Sequence, residues 1–397
     1  MCAKALDGVR VIDMSHAYNG PFCTMQMADH GAEVIKVEPL SGDQTRNWMP
    51  FYENSSDSGY YAFLNRGKKG ITLDMKSDEG KKVFAELVKT ADVVVENFRP
   101  GALERMGFAY EELKKINPRI ILASSSGFGQ YGPLVERPAY DVIAQAMGGI
   151  MSITGEVGAP PCKVGPGLGD NFTGTYLAGA IAMALYHREK TGVGNRIDVA
   201  MTDAIFSALE NALPFYDAYG EILGRAGCID PATSPYDRYE CKDGYIVTGA
   251  ASEKLWVCFC DAIGRPDLVT DERFSTVALR CTRRDELTEE ILKTTKTKTV
   301  AEMEKDFLDN GVPCGPILDI EQMVNHPHFI AREMVLEVEH PTIGKMKIQG
   351  IPVKFTESPG SVDAPAPLLG QHTDEVLKCI LGYSDEKIRE LRENKVI

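Results

Sequence analysis

The chain has 397 residues, of which 44% are hydrophobic and 25% charged, and a formal net charge of −14. That length is too great for one ordinary core and points to two or three domains of a soluble globular protein. The acidic balance argues against nucleic acid or an anionic membrane as the main partner, but leaves room for a small anion held by a local basic patch. No apolar run approaches the ~20 residues that span a bilayer, and the N-terminus lacks the apolar stretch of a secretion signal, so a cytoplasmic location is expected. The ten cysteines are scattered without a C-x-x-C pair, and the seven histidines lack metal-site spacing. Free thiols and no metal are the expectation.

In chain order, Val9–Met14, Glu33–Glu38, Asp92–Glu96 and Arg119–Ser124 read as short strands, with a helical pattern at Glu79–Lys89 among them. Apolar runs rich in Val and Ile, separated by helices, are the pattern of an α/β fold whose mostly parallel sheet is covered on both faces. Such sheets bind ligands beyond the carboxyl ends of their strands. Arg66, Lys68, Lys69 and Lys76 crowd into eleven residues, as a candidate anion patch or a solvated face. From Ala139 the texture is helical, with one long small-residue helix from about Asn171 to Glu189, closed by Gly192 and Gly194. Arg196–Met201 returns as a strand. After Gly220 the composition shifts to a hairpin, Tyr239–Thr248, turning at Lys242-Asp-Gly244, then charged helices at Arg284–Lys293 and Val300–Asn310 and a strand at Cys314–Asp319. This stretch reads as a smaller α+β domain. A hairpin near Met334–Phe355, a proline-rich stretch at Pro359–Pro367 and two terminal helices complete the chain.

Three segments carry candidate chemistry. Gly127-Phe-Gly-Gln-Tyr-Gly132 matches G-x-G-x-x-G, but Pro133 and Pro138 interrupt the residues where a helix should open, and no acidic residue follows a second strand at the right distance. It reads as a turn, with no nicotinamide or flavin site expected. Asn97-Phe-Arg-Pro-Gly101 follows a strand at the ligand-binding end of the sheet; Arg99 and Arg105 flank this loop as candidate phosphate partners or ordinary surface arginines, and Arg137 and Tyr140 lie just after the glycine turn. Gly165-Pro-Gly-Leu-Gly-Asp-Asn-Phe-Thr-Gly174 places Asp170 where a glycine-rich loop meets the long helix. Glycines let backbone and ligand approach closely, and a helix start offers unpaired N–H groups to negative charge. Asp170 is therefore either an N-cap or a reactive carboxylate.

Blocks along nearly the whole chain resemble the family III CoA-transferases, which include formyl-CoA and carnitine CoA-transferases and the related acyl-CoA racemases. They are Leu6–Asp13 with Gly20-Pro21, Gly31–Glu38, Lys68–Lys76 with Leu73-Asp-Met-Lys, Asp92–Gly107, Pro118–Ser124, Gly127–Pro133 and Ala366–Leu377. The resemblance implies that Asp170 is the nucleophile, forming an aspartyl mixed anhydride and then an aspartyl-CoA thioester, with an oxyanion held against backbone N–H groups of Gly167 and Gly169. It implies that acyl-CoA, the co-substrate, meets Ala17, Tyr18, Asn19, Leu73, Asp74, Met75, Lys76, Asn97, Phe98, Arg99, Arg105, Arg137 and Tyr140, and that a carboxylic acid is the other substrate.

Departures from the family pattern narrow the choice. Pro39 stands where some members carry an arginine. The racemase branch has a His-Asp pair where this chain has Tyr140-Asp141. Two opposed acid/base groups are needed for racemisation, and tyrosine, with a pKa near 10, is a poor substitute for histidine, so transfer is expected over racemisation. Trp48 matches a tryptophan near the formyl/oxalate pocket, but no tetraglycine run follows Gly220 to form the lid that protects the anhydride, so an acid other than oxalate is expected. A non-catalytic CoA-binding protein is the alternative of a different class. The implied architecture is a Rossmann-like large domain over residues 1–220, a smaller α+β domain over 221–330 and a segment, 331–397, returning to the large domain, in an interlocked homodimer.

Overall fold

In a computed structural model, residues 3–53 and 55–397 are described. The chain divides into two units: Met1–Ile150, Lys163–Leu213 and Pro327–Ile397 form one, and Met151–Cys162 with Pro214–His326 the other. The smaller unit thus includes Met151–Cys162, a segment that the sequence reading assigns to the larger domain.

The larger unit is built on six strands: β1 (Arg10–Asp13), β2 (Glu33–Glu38), β3 (Lys69–Thr72), β4 (Val93–Glu96), β5 (Ile121–Ser126) and β6 (Asn195–Ala200). All pair in parallel, in the order β3-β2-β1-β4-β5-β6. This is the doubly wound order of dinucleotide-binding folds, whose ligand crevice opens where the strand order reverses, here between β1 and β4.

Alternation along the strands explains the apolar runs. Ile12, Ile35, Val94 and Leu122 face one side, where Val83, Phe84, Leu87 and Val88 of the helix Asp78–Thr90 meet Val376, Leu377, Ile388 and Leu391 of the two terminal helices. Val11, Val34, Val93 and Ile121 face the other, against Met27 and Ala28 of the helix Asn19–Asp29 and Leu177, Ile181 and Leu185 of the helix Leu168–Thr191. Each such side chain contributes roughly 1.5–3 kcal/mol by leaving water. The Asp78–Thr90 helix also has local reasons to form: Ser77 accepts the Gly80 N–H at 3.0 Å, with Asp78 and Glu79 in the first turn and Lys89 in the last.

Two elements carry no clear pattern in the sequence. β3 has a single large apolar residue, Ile71, and its free edge is covered by the C-terminal segment, where His372 N–H donates to Gly70 O at 2.9 Å. The helix Asn19–Asp29 is buried on nearly every side and so lacks an amphipathic stripe.

In the smaller unit, β7 (Tyr236–Cys241), β8 (Gly244–Gly249) and β9 (Cys314–Pro316) form an antiparallel sheet packed on Trp256, Phe259, Ile291 and Phe307. The β7–β8 turn falls at Lys242-Asp243, as its sequence implies. The hairpin β10 (Val335–His340) and β11 (Gly344–Gln349) belongs to the larger unit.

Candidate active site

The loop after β1 rests on buried charge. Asp13 accepts the Ser15 N–H at 2.9 Å, the Ser15 hydroxyl, and the Thr24 hydroxyl at 2.6 Å. Lys68 Nζ donates to Asp13 at 3.0 Å and to Pro21 O and Asn65 Oδ1 at 3.0 Å, while Lys36 Nζ donates to Ser15 O at 2.5 Å and Asp43 at 3.1 Å. Burial alone would raise the Asp13 carboxyl, but Lys68, Lys36 and the two hydroxyls hold it far below the usual carboxylate range.

Ion pairs within the fold overturn the anion-patch reading of the basic cluster. Lys68 is spent on Asp13; Arg66 is buried in a two-bond pair with Asp29 at 2.6 and 3.0 Å; Lys69 pairs with Glu33 and Glu375 at 3.0 and 2.8 Å. Lys76 is exposed.

Above this floor, Ala17 adopts φ 61°, a left-handed conformation uncommon for a residue with a Cβ. Asn97, after β4, accepts the His16 N–H and donates to His16 O, both at 2.7 Å, and so clamps the β1 loop to the β4 loop across the switch point. Its Nδ2 also donates to Asn19 Oδ1 at 2.9 Å. Asn97 is thus committed to the scaffold.

Asp170 lies in the first turn of the helix Leu168–Thr191, and it is not the cap. Asp141 has that role: its Oδ1 accepts the Gly169 N–H at 2.8 Å and the Asp170 N–H at 3.4 Å, while its Oδ2 accepts Gln145 Nε2 at 2.8 Å. The Gly169 N–H expected to face an oxyanion is therefore already occupied. The Asp170 carboxylate turns away and accepts Asn19 Nδ2 at 2.9 Å. Burial, reinforced by the charge of Asp141 and opposed by hydrogen bonds from Asn19, pushes Asp170 up to about 7. Gly174 permits this arrangement: a Cβ there would lie 2.6 Å from Asn19 O and 2.9 Å from the Phe22 ring, so the two helices can approach only because the side chain is missing.

Around Asp170 opens a cleft of about 890 Å³, within the size range of small-molecule sites. Of the residues expected from sequence, Ala17, Tyr18, Asn19, Trp48, Asn97, Phe98, Arg99, Arg137 and Tyr140 line it with Asp170. Tyr18 donates to Asn171 Oδ1 at 3.0 Å, and burial beside Asp170 pushes its hydroxyl up to about 12. Gly167 and Gly169 lie at the N-cap and in the first turn of the helix that carries Asp170. Leu73, Asp74, Met75 and Lys76 follow the edge strand β3 and are outside the lining; Leu73 is 1% exposed and packed in the core, so its side chain cannot meet a ligand. Arg105 is exposed on the short helix Ala102–Arg105, also outside the lining.

Sequence reasoning missed His16, Tyr60, Ser125 and Lys163, all of which line the cleft. Tyr60 lies between Tyr18 and Trp48, with ring centroids 6.0 and 5.4 Å away and the pairs tilted by 59° and 60°. Lys163 lies only seven residues before Asp170, in a glycine-rich approach that already had a candidate; the others needed the fold. Arg99, Arg137 and Lys163 are exposed cations without a carboxylate partner among the described residues, a local positive field in an acidic chain. Gly127–Gly132 is irregular, bending chain that leads into a turn at residues 133–136, with the next helix beginning at Asp141.

The described cysteines are free thiols, no group of three or more His, Cys, Asp or Glu side chains among the described residues is placed to hold a metal, and no described helix is long and apolar enough to cross a membrane.

The chain is 39% identical over 421 residues to the formyl-CoA:oxalate CoA-transferase of Rhodopseudomonas palustris, covering 98% of this chain and 97% of that one. It is 40% identical over 381 residues to the succinyl-CoA:mesaconate CoA-transferase of Haloarcula marismortui, covering 94% and 96%. Among solved structures it resembles a CAIB/BAIF family protein from Brucella suis, with a TM-score of 0.85, 35% identity, and 95% and 100% of the two chains covered. The sequence model of CoA-transferase family III matches residues 6–373, and the chain belongs to that family.

Proposed function

We propose that the protein moves CoA from an acyl-CoA to a carboxylic acid through covalent intermediates on Asp170. The observation that carries this reading is the separation of two carboxylates: Asp141 satisfies the helix N-terminus, and Asp170, relieved of capping, faces the cleft at the switch point. An Asp170 oxygen attacks the acyl carbonyl, the C–S bond breaks, and CoA thiolate leaves an aspartyl mixed anhydride. The thiolate then attacks the Asp170 carbonyl, releasing the donor acid and leaving an aspartyl-CoA thioester. The acceptor carboxylate displaces the thiolate to form a second anhydride, and the thiolate finally attacks the acceptor's carbonyl to give the new thioester and free Asp170. One difficult exchange is divided into four acyl transfers.

Arg99, Arg137 and Lys163 supply charge for the phosphates of CoA, and Ala17, Tyr18, Phe98 and Tyr140 its nearer contacts, with Asn97 holding the loop in place. Asp74, Met75, Lys76 and Arg105 belong to this proposal as more distant contacts. The related transferases act, by name, on different acids at similar identity, so identity over the whole chain does not choose the acceptor. The absent glycine run argues against oxalate and the Trp48 wall argues for it; a panel of carboxylates with formyl-, succinyl- and acetyl-CoA donors separates these. The racemase alternative lacks a second free base at Asp141, whose oxygens are all engaged. Solvent deuterium entering next to the thioester without CoA exchange would favour it.

We also propose a homodimer. Tyr176, Met183 and Tyr186 are 51%, 73% and 67% exposed on the helix Leu168–Thr191, an apolar stripe that a second copy would cover. Light scattering that returned a monomer would remove this claim. The transfer reading is tested by mass spectrometry after exposure to acyl-CoA: an acyl or CoA adduct on Asp170, absent from Asp170→Asn, is expected, and no adduct with any donor would refute it.

A further inference from the structure

Asn19 is more than part of a binding loop. Its Oδ1 accepts three donors: the Gly20 N–H at 2.7 Å, Asn97 Nδ2 at 2.9 Å and the Ser125 hydroxyl at 2.9 Å. The orientation of Asn97 is itself dictated by main chain, because its Oδ1 meets the His16 N–H and its Nδ2 the His16 carbonyl. Polarity is thereby transmitted without ambiguity from the His16 peptide through Asn97 to Asn19. The Asn19 amide cannot flip without opposing its oxygen to Asp170 and its NH2 to the Gly20 N–H. Asn19 is 6% exposed, so water does not substitute for these partners.

We infer that Asn19 is a catalytic residue whose Nδ2–H serves the carbonyl oxygen of Asp170 itself, acting as an oxyanion donor in the two steps where Asp170 is the electrophile. This inference rests on the nucleophile reading above. In the first step the attacking oxygen is the one not held by Asn19, and charge develops on the substrate's carbonyl oxygen, away from Asn19. When CoA thiolate attacks the anhydride at the Asp170 carbon, the C=O bond opens and negative charge moves to Oδ1, at the position Nδ2 already occupies at 2.9 Å. The bridging oxygen leaves with the donor acid and the carbonyl re-forms. The acceptor's attack on the aspartyl-CoA thioester repeats this on the same atom, with thiolate leaving. With the Gly169 and Asp170 N–H groups committed to Asp141, this side chain supplies what the helix start does not. A donor aimed at such an oxygen in an enclosed site is worth about 10²–10³ in rate when removed.

The experiment is rapid-quench mass spectrometry of the Asp170 peptide during a single turnover of acyl-CoA, at about pH 8.5, above the value of about 7 to which burial raises Asp170. In the wild type, an acyl adduct should give way to an aspartyl-CoA adduct. In Asn19→Ala the acyl adduct should form within about threefold of the wild-type rate and then accumulate beside free CoA, its conversion slowed ~10²–10³-fold. Should that variant not fold, Ser125→Ala, which loosens Asn19 without touching Asp170, should slow the same conversion roughly three- to tenfold and leave acyl-adduct formation alone. Equal slowing of formation and conversion, or no change in either, overturns the inference. Absence of any adduct in the wild type instead overturns the nucleophile reading beneath it.

Discussion

Asp13 and Asp170 stand at the two ends of the Ser15–Asn19 loop, both largely enclosed, and their environments push them in opposite directions. Asp13 is fully buried but has two lysines and two hydroxyls, so its charge is more than compensated. Asp170 has only the neutral donors of Asn19 and a like charge at Asp141, so burial prevails and the carboxyl rises to about 7. The difference separates a carboxylate that holds a loop in place from one whose charge is poorly satisfied, as the proposed nucleophile role requires. Like residue and similar enclosure decide nothing; the sign of the neighbours does.

The sharpest way to break the comparison is to neutralise each aspartate. Asp170→Asn should abolish CoA exchange, by about 10⁴-fold or more in kcat. It should also raise the unfolding free energy at pH 8 by up to ~4 kcal/mol. Between about pH 4 and pH 7 the folded protein retains a proton on Asp170 that the unfolded chain has lost. The stability from this group is therefore present below the unfolded carboxylate range and disappears as pH rises through about 7. The gain in Asp170→Asn should then vanish below about pH 4, and a variant less stable than wild type at pH 8 would contradict this account.

Asp13→Asn should do the reverse, destabilising by ~3–5 kcal/mol at pH 7 because it leaves Lys68 buried without its anion. Since the folded Asp13 carboxyl lies below its unfolded value, its contribution is present above about pH 4 and fades as pH falls, so denaturation curves of variant and wild type should converge in acid. A parallel offset at all pH values would show that charge is not the cause.

A gentler change tests the neighbour of Asp170. Acyl-adduct formation should rise with pH to a plateau above about 7 as Asp170 ionises, and Asp141→Asn should move that rise to lower pH, giving at most roughly tenfold faster adduct formation at pH 6. An unmoved profile would remove Asp141 from the electrostatic account. Smallest of all, Arg99→Ala and Arg137→Ala should each raise KM for acyl-CoA, by ~3–10-fold, with kcat nearly constant, while Lys69→Ala, already paired with Glu33 and Glu375, should leave KM unchanged. Equal effects from Arg137 and Lys69 would restore the linear basic cluster as the phosphate site.

The same contrast explains what could be read from the chain. β1, β2, β4 and β5 announced themselves because both of their faces are buried, which writes near-continuous apolar runs into the sequence. β3, Lys69-Gly-Ile-Thr72, could not, since its edge is covered by a C-terminal segment about 300 residues away, with separations of 301 and 302 in its hydrogen bonds. Asp170 was marked by its glycines and by family resemblance, yet its partner Asn19 is 151 positions away and its helix's cap, Asp141, comes from another helix. Linear clustering misled for the lysines because neighbours at a strand point to opposite faces: Lys68 goes under β1 while Lys69 reaches outward.

The contact at Gly174 has a consequence for how this protein can diversify. The separation of Asn19 and Asp170 is set by two helices in close contact at Gly174, a contact in which Trp48, Gln44 and Tyr60 of the cleft lining take no part. Changes at those lining residues can reshape the cleft without altering the helix contact that spaces Asn19 from Asp170. The same isolation makes position 174 intolerant, since a single methyl group there would alter the spacing for every substrate at once.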